Sequence, residues 1–203
     1  MIIAIDGPAG SGKSTVARKV AEKLRFRYIE TGSMYRAVAW KSMTMGIDLG
    51  DREKVADVGR KLGLEFVRAQ EGQILLVDGE NVSQQLKAET VSRGAAIVAT
   101  YQEIRDIMTA KQREIGRSGD VVMDGRDIGT IVFPQAEKKF FLDADPEERG
   151  KRRYLELKAK NQDVDLTQII EQVKQRDFED RNRAIAPLRP APDAIKVDTT
   201  NLK

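Results

Sequence analysis

The sequence predicts an α/β fold in which helices cover both faces of a mostly parallel sheet. Short β-branched apolar runs alternate with helical patterns near both ends of the chain. A glycine-rich stretch separates the first predicted strand from the first predicted helix. The 203 residues, of which 40% are hydrophobic and 33% charged, suit one domain with a sizeable core and a strongly ionised surface.

Two strand–helix pairs are predicted at the N-terminus. Ile2–Asp6 is short, β-branched and bounded by glycine, which is typical of a buried strand. The next helix, Lys13–Leu24, has apolar residues at a spacing of four: Val16, Val20 and Leu24. Arg27–Glu30 is the second predicted strand. A helix over Ser33–Met45 then ends at Gly46, and three of its residues are expected to face inward: Met34, Val38 and Met45.

The middle of the chain interrupts the alternation, and we interpret it as an insertion. Its patterns predict a helix, then two strands around a turn at Glu71–Gly72, then two helices. These elements are expected at Glu53–Leu62, Leu64–Arg68, Gln73–Asp78, Ala88–Ala99 and Gln102–Ile115. We therefore predict one domain with a core of about 1–38 and 101–203 and an insertion of about 39–100.

The alternation resumes after the insertion. Strands are predicted at Asp120–Asp124, Lys138–Asp143 and Ala194–Asp198, with helices at Pro146–Lys160 and Asp165–Arg181. Pro146 follows Asp145 and suits a first helical turn behind an N-cap. A covering helix is expected after the last strand and does not follow, which suggests a truncated chain.

The composition excludes several kinds of chemistry. The chain contains no Cys, which excludes disulfides and thiolate metal sites, and no His, which excludes a Ser-His-Asp triad. A net charge of +3 suits an anionic partner but is too small to argue for DNA binding. We see no signal peptide and no apolar stretch approaching a membrane span, so a cytoplasmic protein is expected.

The glycine-rich stretch Gly7–Ser14 fits the phosphate-binding pattern G-x-x-x-x-G-K-[ST] in its proper place between a strand and a helix. Its backbone amides can surround phosphates, Lys13 can reach the β- and γ-phosphates, and Ser14 can bind Mg²⁺. The alternative is a chance glycine-rich turn. We therefore predict ATP with Mg²⁺, held by Gly7, Pro8, Ala9, Gly10, Ser11, Gly12, Lys13, Ser14 and Thr15.

Two classes of protein use such a loop: hydrolysing switches or motors, and kinases for small acceptors. The Asn-Lys-x-Asp signature of guanine-specific switches is absent. A kinase needs a second site, and candidates follow two strands: Glu30–Arg36 after one, and Asp124, Arg126 and Asp127 at the end of another. Each arginine taken alone could instead be an ordinary solvated residue.

Two further charged segments lie in the C-terminal part. Arg149–Arg153 is interpreted as part of a mobile lid that brings guanidinium groups to the transferring phosphoryl. The alternatives are a solvated, salt-bridged helix face, or a basic helix at 147–160 that binds RNA. Arg176–Arg183 is a second candidate, or else an ordinary surface helix end.

The absence of His favours an acceptor that needs no general base. A phosphate monoester is already ionised near neutral pH, since its second pKa is about 6. Arginines then suffice to position it and to offset the repulsion between two polyanions. A nucleotide acceptor is therefore favoured, although a carboxylate could serve as the base for an alcohol.

These segments together resemble the bacterial cytidylate kinases, which belong to the nucleoside monophosphate kinase group. The resemblance runs nearly end to end and rests on IAIDGPAGSGKST, ETGSMYR, DGRDIGTIVFP, FFLDADPEERGKRR and RDFEDRNRAIAPL. It implies a P-loop three-layer fold with five parallel strands, an NMP-binding lobe and a short helical lid at about 146–162. It also implies phosphoryl transfer from ATP to CMP or dCMP by a monomer, without nucleic-acid or membrane partners.

The resemblance also implies roles for individual residues. Lys13, Arg126, Arg149 and Arg153 would be catalytic, the last two from the lid. The CMP site would comprise Thr31, Tyr35, Arg36, Arg105, Asp124, Arg126, Asp127, Arg176, Asp180 and Arg183. Arg36 and Arg126 would hold the phosphate, Arg105 and Asp127 the cytosine, and Arg176 and Asp180 the ribose.

Two departures from the family pattern concern the base. Ala96 stands where the family has a base-facing Ser, and Gln102 stands where a proline is usual. The loss of one neutral hydrogen bond is worth roughly 0.5–1.5 kcal/mol. We therefore expect weaker CMP binding or relaxed base choice, unless water or Ser92 substitutes.

Overall fold

The structure is a computed structural model that describes residues 1–69, 72–159, 161 and 163–202. Its strands are β1 Ile2–Asp6, β2 Arg27–Glu30, β3 Leu64–Ala69, β4 Gly72–Val77, β5 Glu80–Asn81, β6 Val121–Gly125, β7 Lys138–Asp143 and β8 Ile195–Asp198. Its helices are α1 Lys13–Leu24, α2 Thr31–Thr44, α3 Arg52–Lys61, α4 Glu89–Val98, α5 Gln102–Arg117, α6 Pro146–Ala159 and α7 Leu166–Asn182.

The main sheet has five strands in the order β2-β6-β1-β7-β8. β1 pairs in parallel with both β6 and β7, and β7 pairs in parallel with β8. The central strands are buried on both faces, as continuous apolar runs in a parallel sheet require. The predicted α/β class with a five-stranded parallel sheet is therefore confirmed.

The register of the main sheet aligns the carboxyl ends of its central strands. Asp6 lies opposite Gly125 on β6 and opposite Phe141 on β7. The segments that follow β1 and β6 therefore leave the sheet at the same edge, where ligands bind in open parallel sheets.

The chain divides into two compact units, residues 1–27 with 120–203, and residues 28–119. In the second unit, helices accompany an antiparallel sheet β3-β4-β5, in which Phe66 pairs with Leu75. Its core consists of apolar side chains without exposure, such as Met34, Val38, Val55, Ile104 and Met108. The predicted insertion at 39–100 lies within this unit, and its assignment as an NMP-binding lobe stays a prediction.

The predicted bounds of β1, α1, β2 and β7 coincide with the structure, and the other described ends differ by at most two residues. β5 and the helical turns Gln85–Lys87 and Ile128–Val132 were not predicted. Of the predicted turn at Glu71–Gly72, Glu71 lies outside the described residues, as do Lys160 and Gln162 of the predicted lid.

The buried faces of α1 and α2 differ from those that the apolar residues predict. The inward orientation predicted for Met45 is wrong: this residue is 58% exposed, because α2 ends one residue earlier. On α1, the apolar spacing identified the helix, but Val16 and Leu24 are exposed, and the small residues Ala17 and Ala21 are buried instead.

Candidate active site

The phosphate-binding loop has the backbone conformation that its glycines permit. Gly7 has φ = 149°, and a Cβ placed there would lie 1.9 Å from the carbonyl oxygen of Leu142, so the position excludes any side chain. Gly12 has φ = 83° and precedes α1, whose first amides have no partner within the helix. The loop thus delivers free amide donors and a positive helix end to one point.

Lys13 is buried within this loop. Its Nζ donates a hydrogen bond to the Pro8 carbonyl oxygen at 2.6 Å. Burial and then the positive charge of Arg126 lower the pKa of Lys13 to about 7, against the opposing effect of Asp124 and Asp6. A triphosphate beside Nζ would supply the negative charge that restores the protonated form.

Ser14 and Asp124 place two oxygens together beside the loop. The Ser14 hydroxyl donates to Oδ2 of Asp124 at 2.8 Å, and the Asp124 carboxylate is buried at the end of β6. Oxygen ligands of this kind suit Mg²⁺, which keeps several waters and phosphate ligands. Among the described residues there is no group of three or more His, Cys, Asp or Glu that could hold a metal ion.

The loop also contains a buried polar atom, the Ser11 hydroxyl oxygen, that a bound phosphate could satisfy. In the described part of the chain, the buried hydroxyl of Ser11 has no hydrogen-bond partner. A buried polar atom without a partner is costly, and a bound phosphate can supply one. The donors of the loop therefore suit the polyphosphate expected from the sequence pattern.

Asp6 anchors the segment that follows β6, a role that sequence reasoning missed. Its two carboxylate oxygens accept hydrogen bonds from the amides of Ile128, at 2.8 Å, and Gly129, at 2.7 Å. Burial raises the pKa of Asp6 to about 7, although these two amides lower it. The only signal in the sequence was an acidic residue at the end of a buried strand. Asp6 thereby holds the backbone that carries Arg126 and the buried Asp127.

Arg126 and Asp180 form an ion pair in the same unit. Nε of Arg126 donates to Oδ2 of Asp180 at 2.9 Å, and Nη1 of Arg183 lies 3.7 Å from Oδ1. Burial alone would raise the pKa of Asp180, but the charges of the three arginines, Arg126, Arg176 and Arg183, outweigh it and hold the pKa below its ordinary value. The structure therefore brings together four of the residues expected at the CMP site.

Four other expected residues lie in the second unit. Thr31 begins α2 and is buried, and Arg36, one turn later, forms an ion pair with Glu30. Arg105 on α5 donates to the Ala99 carbonyl oxygen at 3.0 Å, and its guanidinium carbon lies 5.7 Å from the centre of the Tyr35 ring. Tyr35 and Arg105 are thus neighbours.

The two arginines predicted to act from a lid, Arg149 and Arg153, differ in their environments. Arg153 is half-buried and pairs with Glu156 on the same helix at 3.2 Å. Arg149 is 1% exposed, and its guanidinium is bound to the protein through several hydrogen bonds. Asp145 accepts from the amide of Glu147 at 2.8 Å, so the predicted cap of this helix is confirmed.

No described helix combines the length and the apolar character needed to cross a bilayer.

Comparison with known proteins places the chain in a family. The family model described as cytidylate kinase matches residues 3–203. A protein named cytidylate kinase from Bacillus velezensis is 48% identical over 98% of this chain and 89% of its own length. Proteins of the same name from Bacillus subtilis and Pseudomonas putida are 45% and 42% identical, over 98% and 99% of this chain and 89% of each relative. The chain therefore belongs to the cytidylate kinase family.

Proposed function

We propose that the protein transfers the γ-phosphoryl group of ATP to CMP or dCMP and releases ADP with CDP or dCDP. It would act as a cytoplasmic monomer in pyrimidine nucleotide metabolism. The observation that carries the proposal is the geometry of Lys13, Ser14 and Asp124 at the phosphate-binding loop of a chain that belongs to this family.

The loop residues 7–15 would bind the phosphates of ATP. Lys13 would leave the Pro8 carbonyl and donate to the β- and γ-phosphates, where its positive charge offsets the charge that develops during transfer. Ser14 and Asp124 would hold Mg²⁺, directly or through water, and the ion when bound would neutralise phosphate charge. Asp124, which the resemblance grouped with the CMP site, is thus proposed to help hold Mg²⁺.

The remaining residues would bind the acceptor. Arg36 and Arg126 would hold the CMP phosphate, with Thr31 and Tyr35 beside it. Arg176 and Asp180 would bind the ribose hydroxyls, and Arg183 and Arg153 would approach the phosphates. Because the acceptor phosphate is already ionised, these arginines need only position it and offset repulsion.

The choice of base would depend on Asp127 and Arg105. The cytosine N4 amino group donates, which a carboxylate can accept, while N3 and O2 accept, which a guanidinium can satisfy. Uracil reverses donor and acceptor at positions 4 and 3, so a carboxylate would face an oxygen. Sites built on buried hydrogen bonds reject such a mismatch strongly. Ala96, exposed on α4, contributes no side-chain hydrogen bond to this discrimination.

The test is an assay of ADP formation with purified protein, ATP and Mg²⁺, in the presence of CMP, dCMP, UMP, AMP or no acceptor. We expect fast turnover with CMP and dCMP, and none when EDTA removes the metal. Comparable turnover with UMP would mean that base choice is relaxed. ADP formation that no acceptor changes would contradict the kinase proposal.

A further inference from the structure

Arg149 is bound to three separate parts of its own unit. Its Nε donates to the Ala144 carbonyl oxygen at 2.8 Å, and its Nη1 donates at 3.0 Å both to the Ala9 carbonyl oxygen and to Oδ1 of Asp177. Its Nη2 donates to Oδ2 of Asp177. Four of the five guanidinium N–H groups thus have protein acceptors. Because the residue is 1% exposed, contact with a phosphoryl group would require the guanidinium to leave this buried position.

The bond to Ala9 acts on the phosphate-binding loop itself. The Ala9–Gly10 peptide is trans and planar, so its carbonyl and the Gly10 amide point in opposite directions. When Arg149 holds the carbonyl, the Gly10 amide is directed away from the guanidinium. The loop backbone also packs on this side chain, because a Cβ at Gly10 would lie 3.2 Å from Cβ of Arg149.

Asp177 on α7 determines where the guanidinium lies. Its buried carboxylate accepts two parallel hydrogen bonds from Arg149, the planar geometry that arginine and carboxylate favour. A lysine could not contact the carboxylate, Ala144 and Ala9 with the same geometry, because its ammonium is a single point. Removing either charge would leave the other buried and unpaired. Because an unpaired buried charge is strongly destabilising, the two side chains stay paired.

We propose that Asp177 is a positioning residue that acts through Arg149 to orient the Ala9–Gly10 peptide of the phosphate-binding loop. Arg149 then supports ATP binding from within the protein and does not contact the transferring phosphoryl group. This role concerns the binding of ATP and not that of the acceptor. The kinetic test of the role rests on the proposed function, whereas the binding test does not.

The experiment compares Asp177→Asn, Arg149→Met and the double variant with Glu171→Gln. The last is a matched control, since it changes an exposed carboxylate on the same helix that pairs with Lys174 at 3.5 Å. For each protein, kcat, the KM values for ATP and CMP, and the melting temperature are measured. Binding of a non-hydrolysable ATP analogue is titrated in parallel without acceptor.

We expect both single variants to lower kcat/KM for ATP by roughly 10- to 100-fold, the range for a buried charged hydrogen bond. The double variant should lose no more than either single one, and the KM for CMP should not change. Arg149→Lys keeps the charge opposite Asp177 and guards against loss of folding. It should weaken analogue binding while the melting temperature stays near that of the wild type.

Three outcomes would overturn the proposal. A large loss of kcat in Arg149→Met, with wild-type kinetics in Asp177→Asn, would mean that Arg149 contacts the phosphoryl group. Equal losses for ATP and CMP that follow the melting temperature would mean a purely structural pair. Unchanged analogue binding in Arg149→Lys would refute the role of the Ala9 contact. If the wild type lacked CMP-dependent turnover, the binding titration would still decide.

Discussion

Asp6 makes the stability of the protein depend on pH in an unusual direction. Burial raises the pKa of Asp6 from an ordinary 3.8 to about 7. This effect exceeds that of the two backbone amides that donate hydrogen bonds to the carboxylate, which lower the pKa. The group therefore binds a proton in the folded state at pH values where the unfolded chain has released it. The contribution of Asp6 to stability is then highest at low pH and declines as the pH rises from about 4 to about 7, by about 4 kcal/mol at most.

Asp6→Asn removes this titration and changes the hydrogen bonding. The asparagine side chain can accept from one of the amides of Ile128 and Gly129, but its NH₂ group would face the other. We expect a cost of about 1–3 kcal/mol near pH 4, where the aspartate is protonated in the folded state and only about half ionised in the unfolded chain. Near pH 7 the wild type also carries the cost of ionising Asp6, so the variant should equal or exceed it in stability.

The assay is urea unfolding at several pH values between 4 and 7.5, with the free energy of unfolding compared between wild type and variant. Carboxylates that do not interact with Asp6 cancel in this difference. Lys13, whose pKa is lowered to about 7, begins to titrate near the top of this range, so the difference is compared below about pH 6. Asp57→Asn, at an exposed residue paired with Arg60, serves as the control. A difference between wild type and Asp6→Asn that stays constant with pH would refute the reasoning.

Three further variants test the proposed site. Arg126→Ala should lower CMP-dependent turnover by roughly a thousandfold, as expected for an arginine that stabilises phosphoryl charge, while titration of an ATP analogue shows unchanged affinity; parallel loss of ATP binding would contradict this role. Ala96→Ser should raise the ratio of kcat/KM for CMP over UMP by roughly two- to tenfold, the value of one neutral hydrogen bond; an unchanged ratio would mean that position 96 does not face the base. Ser14→Ala should shift the Mg²⁺ dependence of turnover to higher concentration, and an unshifted titration would exclude Ser14 as a metal-side residue.

Local patterns in the sequence were sufficient for most of the fold. β1, α1 and the glycine-rich loop each have a signal within a few neighbouring residues: a β-branched run, a four-residue spacing and a phosphate-binding pattern. The turn Ile128–Val132 has no such signal, because five residues are too few for a helical period. Its helical conformation is supported by Asp6, which is distant in the sequence. The Asp6 carboxylate accepts hydrogen bonds from the first two amides of the turn, those of Ile128 and Gly129.

The candidate site shows the same limit more sharply. Lys13 and Ser14 were predictable because the motif carries its own geometry, whereas the burial of Arg149 was not. Arginine is ordinarily exposed, and the partner that permits its burial, Asp177, lies 28 residues away on another helix. Sequence spacing thus placed Arg149 on a charged helix face, but only the packed structure reveals that its charge is directed inward.

The arginines proposed for the acceptor phosphate each have a carboxylate partner within their own unit. Arg36 pairs with Glu30, and Arg126 pairs with Asp180. A guanidinium beside other cations repels them, and a carboxylate partner offsets that repulsion while no substrate is bound. A ligand that binds these arginines must compete with the carboxylates, so a phosphate dianion can do so and an uncharged nucleoside cannot. If these arginines bind the acceptor as proposed, their ion pairs would favour nucleotides over nucleosides, at the cost of some affinity for the nucleotide itself.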